Sequence, residues 1–202
     1  GLFSSFSFQA SKNMTAGEGG ILLTNDQRLA AECDSLLWAG RRVGRPWYEF
    51  HRLGWNYRLT EFQAAVLNCQ LGRLDAQNRR RMENARRLSR RLAELPGIRP
   101  VVHDPRATIH GYHIYMFRND AAEVGLAREK FLAALSAEGI PCFGGYAFAL
   151  YKTPLFAEKR FINGSFPLGT AYHDDMDYGA MAERCPVSER ACASEAVWLA
   201  QN

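Results

Sequence analysis

Phe6-Ser7-Phe8-Gln9-Ala10-Ser11-Lys12-Asn13-Met14-Thr15-Ala16-Gly17-Glu18-Gly19-Gly20 sets one lysine in a short polar loop, with the apolar run Ile21-Leu22-Leu23-Thr24 directly behind it. Ahead of the loop, Leu2, Ser4, Phe6 and Phe8 alternate with Phe3, Ser5, Ser7 and Gln9, the period of a β-strand. Gly17, Gly19 and Gly20 allow the chain to turn tightly into a second strand. The segment therefore reads as strand, lysine loop, strand. A lysine amine held among aromatic rings is biased toward its neutral, nucleophilic form, which condenses with carbonyls to a Schiff base. A plain surface lysine is the blander reading of Lys12 by itself.

Moving outward, Asn25-Asp26 opens a helix over Gln27–Ala39 with Leu29, Cys33, Leu36 and Leu37 on one stripe. Gly40 to Arg52 follows as a loop in which Arg41, Arg42, Arg45 and Arg52 interleave with Trp47, Tyr48 and His51. Then comes Leu53-Gly54-Trp55-Asn56-Tyr57-Arg58-Leu59-Thr60-Glu61-Phe62-Gln63-Ala64-Ala65. Thr60 and Gln63 have the spacing of a capping box. From Glu61, helical spacing through Phe62, Val66, Cys69, Leu74, Met82, Ala85, Leu88 and Leu92 predicts a helix of about 50 Å ending at Pro96-Gly97, with Gly72 as a possible bend. Its seven arginines between Arg79 and Arg91 read as a solvated face rather than a DNA-binding one.

Two segments carry a resemblance. Ser5-Phe6-Ser7-Phe8, Lys12, Thr15 and Gly17-Glu18-Gly19-Gly20 resemble the active-site lysine motif of the DegT/DnrJ/EryC1/StrS aminotransferases, and the run from Leu53 to Ala65 resembles a second motif of that family in the same order. The resemblance implies an α/β chain of the fold-type I, aspartate aminotransferase-like class of transferases dependent on pyridoxal 5′-phosphate (PLP). Residues 1–95 would then be the C-terminal part of the large PLP-binding domain, with its long connecting helix, and 96–202 a small C-terminal α/β domain.

The resemblance also implies roles. Lys12 would be the catalytic lysine, holding PLP and shuttling a proton. Ser7 would donate to the cofactor phosphate, and Asn56 would reach the phosphate bound by the neighbouring subunit, so that the site is shared across a homodimer. Arg58, Tyr146 and Gln9 are the substrate candidates. Gln9 looks more like members that act on keto-cyclitols than on nucleotide-linked sugars. That favours a scyllo-inosose-like acceptor with L-glutamine or L-glutamate as donor; a nucleotide-linked keto-sugar is the alternative. A PLP-less carbohydrate-binding relative and a basic nucleic-acid-binding protein are the readings from other classes, the second resting on Arg41 to Arg52 and on the arginine face.

The second half reads as a small α/β unit: strands Ile98–His103 and Ile109–Arg118, a helix Val124–Glu138 and a strand Ile140–Phe143. His113 shares a strand face with Tyr115 and Phe117, which suits a sheet-packed histidine rather than a substrate contact. Gly144-Gly145-Tyr146 to Pro154 is a loop, and Ser188–Asn202 reads as a helix.

Composition narrows the class. The 202 residues are 47% hydrophobic and 12% aromatic with net charge +4, ample for a packed core. No apolar run approaches the ~18 residues of a membrane span. The five cysteines, Cys33, Cys69, Cys142, Cys185 and Cys192, form no Cys-x-x-Cys pair, which argues against a metal site or disulfide framework and for a cytoplasmic protein. Asp174, Asp175 and Asp177 lack the Gly and terminal Glu of an EF-hand and read as a surface turn. Asn13-Met14-Thr15 and Asn163-Gly164-Ser165 match the glycosylation pattern without a secretory context. Gly1 in place of an initiator methionine, and a last segment with no cap, suggest a piece of a chain about twice as long. Such a piece, without the ring-pairing carboxylate of the missing half, is expected to be inactive alone.

Overall fold

The computed structural model describes residues 1–158 and 177–200. Asp174, Asp175 and Asn163 lie outside the described residues. The chain divides into two compact units, 1–80 and 81–202.

Unit 1 begins with β1 (Ser4–Ser7) and β2 (Gly20–Leu23), an antiparallel pair in which Phe6 faces Ile21 and Ser7 faces Gly20. Asp26 then caps α1 (Gln27–Leu37), its carboxylate accepting from the Arg28 and Leu29 amides at 2.9 and 3.1 Å. Such a cap satisfies two of the helix's orphan donors. The long helix α2 (Glu61–Leu92) starts at the capping box: the Gln63 amide donates to Thr60 Oγ1 at 3.3 Å, and the Thr60 amide donates to Gln63 Oε1 at 3.1 Å. Its 32 residues span about 48 Å at ~1.5 Å per residue, continuous through Gly72. Phe62 and Val66, expected on the buried stripe, are exposed; Leu67 is the buried residue of that stretch. The stripe is rotated because Gln63 and Gln70, not the phenylalanine, face the lysine loop.

Unit 2 starts within α2, whose last turns place Leu92 against its core. β3 (Ile98–Pro100), β4 (Ile114–Asn119), β5 (Cys142–Phe143) and β6 (Ala196–Ala200) form an antiparallel sheet in the order β3-β4-β6-β5. Phe117 pairs with Pro100 on one side and Val197 on the other. With Ile98 these two make the buried centre, against which Phe131, Leu132 and Leu135 pack.

Several expected boundaries differ. β4 starts at Ile114 rather than Ile109, because Tyr112 takes φ +42° and breaks the extended run. The single helix expected over Val124–Glu138 is two: α3 (Ala121–Val124), closed by Gly125 at φ +74°, and α4 (Arg128–Ala137). The largest correction is at the end. The helix expected from Ser188 to Asn202 holds only at its start: after α5 (Pro154–Ala157), α6 (Met181–Arg184) and α7 (Pro186–Arg190), a π turn over Ala191–Glu195 leads into β6, so Ala196–Ala200 is strand; residues 201 and 202 lie outside the described residues. Trp198 and Leu199 find partners on both β4 and β5, and that pairing outweighs the weak helical preference of an alanine-rich run. Among the described residues, no helix is long and apolar enough to cross a membrane, and no cluster of three or more His, Cys, Asp or Glu side chains is placed to hold a metal ion. All five cysteines are free thiols.

Candidate active site

The lysine loop is shaped from within and clamped from outside. Within it, the Lys12 amide donates to the Gln9 carbonyl at 2.9 Å, closing a turn. Gln9 Oε1 accepts from the Ser11 amide and hydroxyl at 2.8 and 2.7 Å, and the Gln9 amide donates to Ser7 Oγ at 3.3 Å. Ser7, Gln9 and Lys12 are thus linked through consecutive hydrogen bonds. Ser7 is exposed, whereas Gln9 and Lys12 are half-buried.

The outer clamp comes from α2. Gln70 grips Thr15 at both ends of its peptide, accepting from the amide at 3.0 Å and donating to the carbonyl at 2.5 Å. Two turns earlier, Gln63 Nε2 donates to the Glu18 carbonyl at 2.8 Å. Residues seven apart share a helix face, so one stripe of α2 holds two points of the loop. Thr15 Oγ1 donates to the buried Phe8 carbonyl at 3.0 Å and accepts from the Gly17 amide at the same distance. Sequence reading found Gln63 as a cap but missed its grip on the loop, and missed Gln70 altogether; the seven-residue spacing was the available signal.

The second motif is tied to α1 by backbone. The Trp55 amide donates to the Leu36 carbonyl at 2.8 Å, the Ala39 amide to the Trp55 carbonyl at 2.9 Å, and Asn56 bridges Trp38. Two glycines make this approach possible. A Cβ on Gly40, at φ +85°, would overlap the Arg52 carbonyl, and one on Gly54 would stand 2.8 Å from the Leu36 carbonyl oxygen. Arg52 pairs with Glu32 on α1, and its guanidinium hydrogen bond holds that carboxyl below the usual carboxylate range. Asn56 and Arg58 are both exposed. The Arg58 guanidinium lies 4.8 Å above the Trp38 ring, and Trp55 stacks on Tyr57 with centroids 5.8 Å apart.

Tyr146 belongs to unit 2 and is 70% exposed. Its ring meets Trp198 edge-on at 5.4 Å, and Gly145, at φ +76°, lets the loop lie against the indole. Arg128 Nη1 donates to the Cys192 carbonyl at 2.8 Å and more weakly to that of Gly144, so the loop's first residues are anchored to the π turn. His113 is half-buried just ahead of β4, while Phe117 is buried within it. Two clefts open in unit 1, of about 880 and 640 Å³, and Lys12 lines neither.

Paired strands around a clamped lysine loop, followed by the motif tied to α1, define the class. The chain belongs to the DegT/DnrJ/EryC1/StrS aminotransferase family, whose model matches residues 1–177. Over 199 residues it is 38% identical to an inferred L-glutamine:3-amino-2,3-dideoxy-scyllo-inosose aminotransferase of Streptomyces kanamyceticus, covering 96% of this chain and 46% of that relative. It is 36% identical over 201 residues to a 3-amino-5-hydroxybenzoate synthase of Amycolatopsis mediterranei, covering 96% of this chain and 47% of the relative. Its fold matches the crystal structure of a 3-amino-5-hydroxybenzoic acid synthase, with a TM-score of 0.76 at 35% identity over 98% of this chain and 48% of the other. A family aminotransferase from Brucella abortus matches with a TM-score of 0.75 at 26% identity, over all of this chain and 46% of the other. The chain spans about half the length of the curated relatives it matches.

Proposed function

We propose that the full-length protein is a PLP-dependent aminotransferase that moves an amino group from L-glutamine or L-glutamate onto a keto-cyclitol resembling scyllo-inosose. The observation that carries this reading is a half-buried lysine on a doubly clamped loop, with the Ser7 hydroxyl on the strand just before it. A relative named for the same chemistry, 38% identical over 199 residues, supports it.

The residues present fit the cofactor. Ser7 Oγ accepts one long hydrogen bond and stays exposed, so its O–H is left to donate to a phosphate oxygen. When bound, PLP supplies a ring that withdraws electrons from the carbon next to the transferred nitrogen. Lys12 Nζ holds the cofactor, then carries a proton at its amine; the hydrogen bonds at Gln9, Thr15 and Glu18 fix the backbone from which it reaches. Asn56 is exposed, and on this reading its carboxamide N–H groups serve the phosphate of a second subunit in a homodimer. Arg58, poised over Trp38, takes the donor carboxylate through its planar fork. Gln9 is a candidate contact for the acceptor, and with its Oε1 committed to Ser11 its N–H pair is what remains to offer; Tyr146, in the other unit, is a candidate on the resemblance alone.

On the same reading, residues 1–95 complete a large PLP-binding domain and 96–202 form a small one. The five free thiols suit a cytoplasmic protein. The 202-residue chain by itself does not turn over, because the groups that pair with the ring nitrogen lie outside it. The test uses full-length protein with PLP, L-glutamine and scyllo-inosose. Lys12→Arg should lower amine formation by about a thousandfold or more while leaving the melting temperature in place. Undiminished transfer by that variant would sink the assignment.

A further inference from the structure

We propose that the loop between β3 and β4 is an acid-sensitive latch: His110 holds the turn at Tyr112 closed while its ring is neutral, and a proton on Nδ1 opens it. Tyr112 takes φ +42°, a left-handed conformation that a bulky side chain adopts only where its surroundings impose it. What imposes it is the ring two positions back. The Tyr112 amide donates to His110 Nδ1 at 2.9 Å, and the two rings lie 4.1 Å apart. Tyr112 in turn stacks on Tyr115 of β4 at 6.2 Å, and Tyr115 Oη shares a 2.7 Å hydrogen bond with Ser89 Oγ of α2. The strained turn is therefore where the loop joins the sheet of unit 2.

The two histidines of the loop answer a proton differently. A backbone N–H can only donate, so His110 Nδ1 is the bare nitrogen of its ring, and the proton of the neutral form sits on Nε2. A carbonyl can only accept, so His103 Nε2, 3.0 Å from the Ala107 carbonyl, is already an N–H. His103 can take a second proton, at Nδ1, and keep its bond. His110 cannot: a proton on Nδ1 sets two N–H groups against each other, and the left-handed turn loses what holds it. The two imidazoles are 5.3 Å apart, so charge on one opposes charge on the other. The other titratable groups beside them are the Asp104 carboxylate, taken up by Arg106 at 2.6 Å, and the phenols of Tyr112 and Tyr115. His113, three positions on, is half-buried. The rings packed on His110, then the charge on His103, hold its imidazole below the ordinary value of 6.5. With that sign, the closed turn is whole above the ordinary value and is lost as pH falls through the lower one.

The latch does not rest on Lys12 or on the aminotransferase assignment. The experiment follows hydrogen exchange of the full-length protein between about pH 8 and about pH 5, as protection corrected for the intrinsic chemical rate. Amides at 111–113 should lose protection about tenfold on acidification, while those of β6 keep theirs. His110→Asn separates the latch from general acid loosening. An Asn side-chain oxygen accepts from the amide two positions on, as in an Asx turn, and does not titrate, so this variant should stay protected across the range. His110→Ala should show the low, acid-type protection at both ends. His103→Phe should move the transition to higher pH, because the opposing charge is gone. Equal protection at both ends in the unaltered protein, or a pH response that survives His110→Asn, overturns the proposal.

Discussion

The two units hold their shape by different means. In unit 2 a four-stranded sheet closes on its own core: Phe117 is 3% exposed and Val197 wholly buried, with the helix α4 packed behind them. In unit 1 the ribbon β1–β2 has every residue exposed, Phe6 at 54% and Leu22 at 56% among them. What orders unit 1 is backbone and amide hydrogen bonding: the Gln63 and Gln70 clamps on one loop, and the glycine-permitted contacts behind the other. The segments that carry the candidate chemistry are therefore positioned by polar contacts, and their apolar faces are left for other surfaces to cover.

That contrast can be broken outright. Residues 81–202 expressed alone should show a cooperative thermal transition, whereas residues 1–80 should show none, since a two-stranded ribbon is marginal in water. A sharp melt from 1–80 would mean that hydrogen bonds alone suffice. Next in size, Phe117→Ala should cost about 3–5 kcal/mol in urea unfolding, but Phe6→Ala in the same chain only about 0.5 kcal/mol or less. Equal costs would erase the distinction between the units. Gln70→Ala should cost about 1–3 kcal/mol, because it leaves the Thr15 amide and carbonyl without their partners. Hydrogen exchange should quicken over residues 14–20 and not in β4 or β6. A uniform change across both units would show that the clamp is not local.

The same contrast explains what could be read in advance. The lysine loop, its flanking strands and the Thr60–Gln63 box were legible because each rests on local chemistry: alternation, glycines and a cap within four residues. Unit 2 was harder. Ala196–Ala200 looks helical in isolation, and only β4 and β5, about 50 or more residues away in sequence, make it a strand. Gln70 was missed for the same reason, since its partner Thr15 lies 55 positions upstream. Lys12, Ser7 and Asn56 were legible as motif residues, whereas the left-handed turn at Tyr112 depends on an amide meeting the His110 ring, which alternation alone does not disclose.

The smallest effect concerns the tie that closes unit 2's exposed loop. Tyr151 Oη donates to Glu189 Oε1 at 2.5 Å, and Lys152 pairs with the other carboxylate oxygen. The hydrogen bond to Glu189, with burial behind it, pushes the Tyr151 phenol up to about 12, while Lys152, then Tyr151, hold the Glu189 carboxyl below its ordinary range. The two signs differ. A phenol raised in the folded state contributes stability that is whole below its unfolded value near 10 and lost as pH rises through about 12. A carboxyl depressed in the folded state contributes stability that is whole above its unfolded value of about 4.3 and lost as pH falls through the lower folded one. The tie should therefore be intact between those limits and loosen at either end. Ultraviolet titration of phenolate should show late ionisation from Tyr115, which burial raises, and from Tyr151; the Tyr151 step should vanish in Tyr151→Phe and return to the ordinary phenol range in Glu189→Gln. A Tyr151 that ionises near 10 in the unaltered protein would mean that the loop is not held by this cluster, and that unit 2 relies on its sheet core alone.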